Sequence, residues 1–150
     1  MSNIKLKKIF KTVCIASDHA GFNLKEDIKN HLIDKNVSIF DLGPYNEQSV
    51  DYPDFAKKIG NRIKLKKSDV GILVCGSGTG MAISANKIKS IRAAVCYNLK
   101  STRLSRQHNN ANILALGSRL TKKKLSLKLV EVFLQTKFEG GRHLKRIRKI

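Results

Sequence analysis

Five short aliphatic runs recur along the chain, each followed by a stretch of helical character, and this alternation restricts the fold more than any single motif. The runs are residues 12–17 (TVCIAS), 37–43 (VSIFDLG), 70–74 (VGILV), 91–97 (IRAAVCY) and 113–118 (ILALGS). Residues 22–36, 54–67, 81–89, 98–110 and 121–138 read as the intervening helices; Leu24, Ile28, Leu32 and Ile33 form the apolar face of the first. Strands alternating with helices lie parallel and need cover on both faces. The pattern therefore predicts an α/β fold: a Rossmann-like, three-layer α/β/α sandwich around a five-stranded parallel sheet. A length of 150 residues suits one domain with a proper core and no disulfides. In such sheets ligands bind beyond the carboxyl ends of the strands, so the residues after each strand form one group.

The most informative strand end is the third, where residues 70–87 read VGILVCGSGTGMAISANK. Gly76, Gly78 and Gly80 allow positive φ and close approach of a ligand, and the N–H groups of the helix that follows suit an anion or a developing oxyanion. A dinucleotide fingerprint needs G-x-G-x-x-G and a later acid; the glycines here run G-x-G-x-G, and the next strand ends at Tyr97 and Asn98 without one. A phosphate-binding P-loop needs a lysine that is missing. A tight strand-to-helix turn that uses glycine only for its geometry stays open. Cys75 argues for more, because the loop amides and helix dipole would favour a thiolate at that place, able to act as base or nucleophile. A lone cysteine at a strand end is also a common small core residue.

Composition narrows the alternatives. The net charge is +19, which suggests nucleic acid, yet the positive charge is mostly lysine scattered over the polar faces of the expected helices, Lys25 and Lys29 among them. Aromatic residues make up 6% and do not interleave with basic ones, so no stacking platform forms and no dedicated nucleic-acid role is expected. The 3 cysteines form no disulfide framework, which predicts reduced thiols and a cytoplasmic setting, with Cys14 and Cys96 in the core. No apolar stretch approaches membrane-spanning length, and no membrane partner is expected. Residues 1–11 (MSNIKLKKIFK) read as a basic, loosely ordered extension rather than a signal peptide.

Collected by strand, the candidates are Asp18 and His19 after the first, Tyr52 after the second, and Cys75 with Gly76, Ser77, Gly78, Thr79 and Gly80 after the third. His108 and Asn109 follow the fourth strand and its helix, Arg119 follows the fifth, and Arg142 and Arg146 lie four apart in the tail. Each has a plain alternative: Asp18 as a helix cap, the histidines as structural hydrogen-bonding groups, Tyr52 as packing, the tail arginines as surface charge. Together, around one rim, they suit proton transfer on a phosphorylated substrate. No metal or other cofactor is called for, since Cys and His lack zinc-like spacing.

The blocks SDHAGF, DYPDFA, LVCGSGTGMAISANK, IRAA, SRQHNNANILALGSR and FEGGRH, collinear from about residue 12 to residue 146, resemble the ribose-5-phosphate isomerase B family, which also includes galactose-6-phosphate isomerase subunits. The resemblance implies an aldose–ketose isomerase of the pentose phosphate pathway, interconverting ribose 5-phosphate and ribulose 5-phosphate through a cis-enediol. It implies Cys75 as the base and His108 as the residue that opens the sugar ring. Asp18, His19, Tyr52 and Asn109 then match sugar-contacting positions, and Arg119, Arg142 and Arg146 match positions near the substrate, the tail pair chiefly at phosphate. It further implies a homodimer or homotetramer whose sites draw on neighbouring subunits. Some members carry a glutamate in the loop in place of the cysteine; here that position is Thr79 and Cys75 is kept. Galactose 6-phosphate or allose 6-phosphate is the alternative substrate. A non-catalytic module binding sugar phosphate or nucleic acid is the alternative of another class.

Overall fold

The computed structural model describes residues 5–150. Its strands are β1 (Val13–Ser17), β2 (Ile39–Asp41), β3 (Val70–Cys75), β4 (Ala93–Val95) and β5 (Ile113–Gly117). Its helices are α1 (Phe22–Asp34), α2 (Tyr52–Lys64), α3 (Thr79–Ala85), α4 (Leu99–Gln107), α5 (Lys123–Gln135) and α6 (Arg142–Ile147). All strand pairs are parallel, in the order β2-β1-β3-β5-β4. The chain leaves β1 for one edge, then crosses to β3 on the other side, so a topological switch point lies between β1 and β3.

Alternation along each strand builds two cores. Val13, Ile15, Ile72, Val74, Leu114 and Leu116 point toward α1 and α5, where they meet Leu24, Ile28, Leu129 and Phe133. Cys14, Ala16, Leu73, Ile113 and Ala115 point the other way, onto Phe55, Ile59 and Ile63 of α2 and Met81 and Ala85 of α3. Each Val, Leu, Ile, Phe or Met side chain among them contributes roughly 1.5–3 kcal/mol by leaving water. The three-layer sandwich expected from the sequence is the fold observed. Burial holds Cys14 as a thiol, its pKa pushed up to about 11, and also raises that of Cys96.

Three local expectations need correction. Ile33 is 55% exposed, and the buried face of α1 is Leu24, Lys25, Ile28 and Leu32. Lys25 is thus no surface lysine: its Nζ donates to Asp41 Oδ2 at 2.7 Å, Asp41 Oδ1 at 2.9 Å and Glu26 Oε1 at 2.9 Å, with the rings of Phe22 and Tyr45 nearby. The extension is not loosely held where it is described: Leu6 is buried, Ile9 N–H donates to Leu134 O, and Phe10 lies under the Arg106 guanidinium. Residues 1–4 lie outside the described residues. Among the described residues no helix is long and apolar enough to cross a membrane.

The Lys25–Asp41 pair fastens α1 to β2 and, through the Gly43 N–H on Asp41 Oδ1, to the start of the loop leading to α2. Burial pushes the Asp41 carboxyl up, but hydrogen bonds from Lys25, Gly43 and Lys29 outweigh it and leave the pKa below the usual carboxylate value. Its stabilisation is therefore complete above about pH 4 and is lost as pH falls through the lowered pKa. Removing Asp41 leaves the buried Lys25 ammonium with the part-exposed Glu26 carboxylate as its charged partner. Asp41→Ala is expected to lose about 1.5–3 kcal/mol in urea unfolding at neutral pH, the worth of a hydrogen bond to a charged group, with a smaller difference from wild type in acid. An unchanged midpoint would show that the pair does not fasten this corner.

Candidate active site

The strand ends on either side of the switch point hold the first cavity. β3 runs to Cys75, and the chain turns through Gly76, Ser77 and Gly78 into α3. Of the three loop glycines only Gly78 has positive φ, +81°, and its N–H donates to Cys75 Sγ at 3.0 Å. Gly80 instead allows close approach: a Cβ there would stand 2.7 Å from the Tyr52 ring, which packs across the start of α3. Helix α3 begins at Thr79 rather than Met81, and α2 at Tyr52 rather than residue 54, so both helices open beside the loop.

Neighbouring loops are sewn to this one through the backbone. Asp18 N–H donates to Val74 O at 3.1 Å, Ser118 N–H to Cys75 O at 2.8 Å, and Arg119 N–H to Gly76 O at 3.0 Å. Tyr97 Oη donates to Ser77 O at 3.2 Å, and Ser118 Oγ to Ala20 O at 2.8 Å. Asp18, Tyr52, Cys75, Gly76, Ser77, Gly80 and Arg119 thus line one cavity of about 440 Å³, together with Leu120, which is 62% exposed. Asp18 is buried and accepts the Gly21 N–H on Oδ1 at 2.9 Å, one turn before α1. His19 Nδ1 accepts the Val50 N–H at 3.2 Å, holding the loop that leads to α2.

The other candidates stand elsewhere. Helix α4 leaves the carboxyl ends near Tyr97 and runs back along the sheet for 9 residues, roughly 13 Å, to His108. Arg92, just before β4, closes that far end by donating from Nε to the carbonyls of Asn109 and Asn110. His108, Asn109, Arg142 and Arg146 line a second cavity of about 330 Å³, which shares no residue with the first. Within one chain, then, the expected single rim is two separate clusters. The reason is geometric: a helix after a parallel strand carries its last residues to the opposite end of the sheet.

Sequence reasoning passed over His143, though it adjoins Arg142 in the block FEGGRH. It is buried and stacks on His108 with ring centroids 4.2 Å apart. Desolvation, then the charges of His108 and Arg142, hold its imidazole below the ordinary pKa, Glu139 opposing them. Arg106 of the same region is structural: buried, it donates to Thr136 O and Asn110 Oδ1, and burial followed by the Arg92 charge lowers its pKa to about 10.

Comparison with known proteins points one way. The family model described as Ribose/Galactose Isomerase matches residues 13–150. Ribose-5-phosphate isomerase B of Escherichia coli is 41% identical over 140 residues, covering 93% of this chain and 94% of that one. A crystal structure of a ribose 5-phosphate isomerase from Thermotoga maritima superposes with a TM-score of 0.90 at 52% identity, covering 92% of this chain and 95% of the other. The Mycoplasma genitalium ribose-5-phosphate isomerase B with bound ribulose-5-phosphate superposes with a TM-score of 0.87 at 45% identity, covering 92% of each chain.

The loop after β3 depends on a neighbour without a side chain. A Cβ at Gly117 would stand 2.7 Å from both C and O of Ser77, so backbone would have to shift. Gly117→Ala is expected to cost about 1–3 kcal/mol in thermal or urea unfolding, as overpacking does. Wild-type stability in that variant would mean that the loop is not fitted against β5.

Proposed function

The chain belongs to the ribose/galactose isomerase family, and we propose that it interconverts D-ribose 5-phosphate and D-ribulose 5-phosphate through a cis-enediol. One observation carries the reading: a cysteine ends the central strand β3 with a loop amide on its sulfur and lines a cavity together with an arginine. The Mycoplasma relative, so similar in fold, is described with ribulose-5-phosphate bound.

In the proposed reaction Cys75, as thiolate, takes the C2 proton of the open-chain aldose. The electron pair forms the C1–C2 double bond, and negative charge develops on the C1 oxygen. N–H groups of the loop from Gly76 to Gly80 stabilise that oxyanion; one such donor is worth roughly 3–4 kcal/mol of barrier. A proton passes between the two enediol oxygens, and the Cys75 thiol protonates C1 to give the ketose. Asp18, with one oxygen held by Gly21, accepts a sugar hydroxyl on the other. Tyr52 and Arg119 border the same space, and His19 sets the adjoining loop.

His108, Asn109, Arg142 and Arg146 enter from a second copy of the chain. Their place in a separate cavity of the same chain supports this, as do the exposed apolar Leu120 at the first cavity and Ile83 on α3, 62% and 59% exposed. In the assembled site His108 opens the sugar ring by moving the anomeric proton. The guanidinium groups of Arg142 and Arg146 hold the phosphate, which their forked donors fit better than ammonium groups do. The smallest such assembly is a homodimer. Unpaired cysteines suit a reducing, cytoplasmic setting.

The test is the interconversion of the two pentose phosphates, in the presence of chelator, by wild type and by Cys75→Ala. Wild type is expected to turn over and the folded variant to lose about 10²–10⁴ in kcat, the worth of a positioned base. Equal activity in both would remove Cys75 from the reaction.

A further inference from the structure

The peptide unit between Ser77 and Gly78 is the turning point of the loop after β3. Its N–H, on Gly78, donates to Cys75 Sγ at 3.0 Å. Its carbonyl, on Ser77, points the other way and accepts from Tyr97 Oη at 3.2 Å. The two bonds fix one plane, because the N–H and C=O of a trans peptide are rigidly opposed. Gly117 of β5 lies against that plane: a Cβ there would stand 2.7 Å from Ser77 C and O.

Glycine leaves open which way this plane faces. Turning it over changes only Ser77 ψ and Gly78 φ, and glycine takes φ of either sign at similar cost. Gly78 stands at +81°. In the turned arrangement the carbonyl oxygen, a partial negative charge, would face the sulfur in place of the N–H and disfavour a thiolate. Tyr97 is placed to decide between the two. Just before it Cys96 N–H donates to Ala115 O at 3.3 Å, and just after it Asn98 Oδ1 caps α4 by accepting the Ser101 N–H at 2.8 Å. Its backbone is thus held on both sides, and its side chain lines neither cavity.

We propose that Tyr97 is a positioning residue for the isomerase: its hydroxyl keeps the Ser77–Gly78 peptide turned with the N–H on Cys75, so that the thiolate stands ready for the C2 proton. The hydroxyl acts only through the peptide. A hydrogen bond on the carbonyl also polarises the amide, which strengthens the N–H as a donor at the other end. The end of β4 thereby joins those of β1, β3 and β5 in building the site. The proposal rests on the role of base given to Cys75.

Tyr97→Phe keeps the ring and removes only the donor. A fall of about 2- to 10-fold in kcat is expected, the range one neutral hydrogen bond supports, with KM for ribose 5-phosphate nearly unchanged. The acid limb of kcat against pH should move to higher pH, because the thiolate has lost a stabilising contact. Asp18, Tyr52 and Arg119 are the titratable and charged side chains that share the cavity with Cys75, and the substitution alters none of them. Partial unfolding, by contrast, would lower kcat alike at every pH and leave the limb in place. The second readout needs no substrate: the ultraviolet absorbance of the Cys75 thiolate against pH, each chain read against its own Cys75→Ala counterpart so that tyrosine ionisation cancels. The thiolate should appear at higher pH in Tyr97→Phe than in wild type. Coincident thiolate curves would overturn the proposal. If wild type turns over no pentose phosphate, those curves still decide it, which separates its failure from that of the isomerase reading.

Discussion

The carbonyl groups at the end of β3 hold the loops on both sides of it. Val74 O accepts from Asp18, Cys75 O from Ser118 and Gly76 O from Arg119, so three strand ends share one set of hydrogen bonds. These bonds exist because β1, β3 and β5 lie side by side in parallel register, each buried on both faces. The loop amide on Cys75 Sγ depends on the same frame, since Gly78 can turn only where β5 leaves room at Gly117. The chemistry proposed for the loop thus inherits its geometry from the centre of the sheet, the part of the fold with the least freedom to move.

The same parallel architecture divides the candidate residues. Loops after strands gather at one end, while helices return to the other, taking His108 with α4 and leaving Arg142 and Arg146 beyond α5. No local adjustment brings those residues to Cys75, because a helix of 9 residues stands between. The second copy proposed above, packed with its far end against the exposed apolar residues of the first, would resolve the difficulty without deforming either. Catalysis would then depend on assembly, with base and ring-opening group supplied by different chains.

Much of the fold was legible in the sequence because runs such as VGILV and ILALG are buried on both faces, which leaves little other than a parallel strand as their reading. The order of β4 and β5 was less legible. Its trace is compositional: AAV at the edge is half-buried while ILALG, inside, is fully covered. Lys25 was misread because patterning counts every lysine as polar, while its partner Asp41 lies 16 residues on in another element. The first cavity was readable, since residues after β1, β3 and β5 must converge. The second was not: a histidine placed by counting from a strand end sounds close to that end, although the intervening helix carries it away. His143 had a signal, its place beside Arg142, but its stacking on His108 depends on the turn at Gly140 and Gly141.

Complementation between two inactive variants tests the shared site most directly. Cys75→Ala and His108→Ala chains, refolded together in equal amounts, form mixed dimers in which one site has lost both groups and the other has kept both. The account predicts that the mixture recovers about a quarter of wild-type activity, half the dimers being mixed and each carrying one intact site. If mixed dimers form, as differently tagged chains would reveal, and activity stays at the level of the separate variants, the two groups do not meet across copies. The division of the site proposed here would then be wrong.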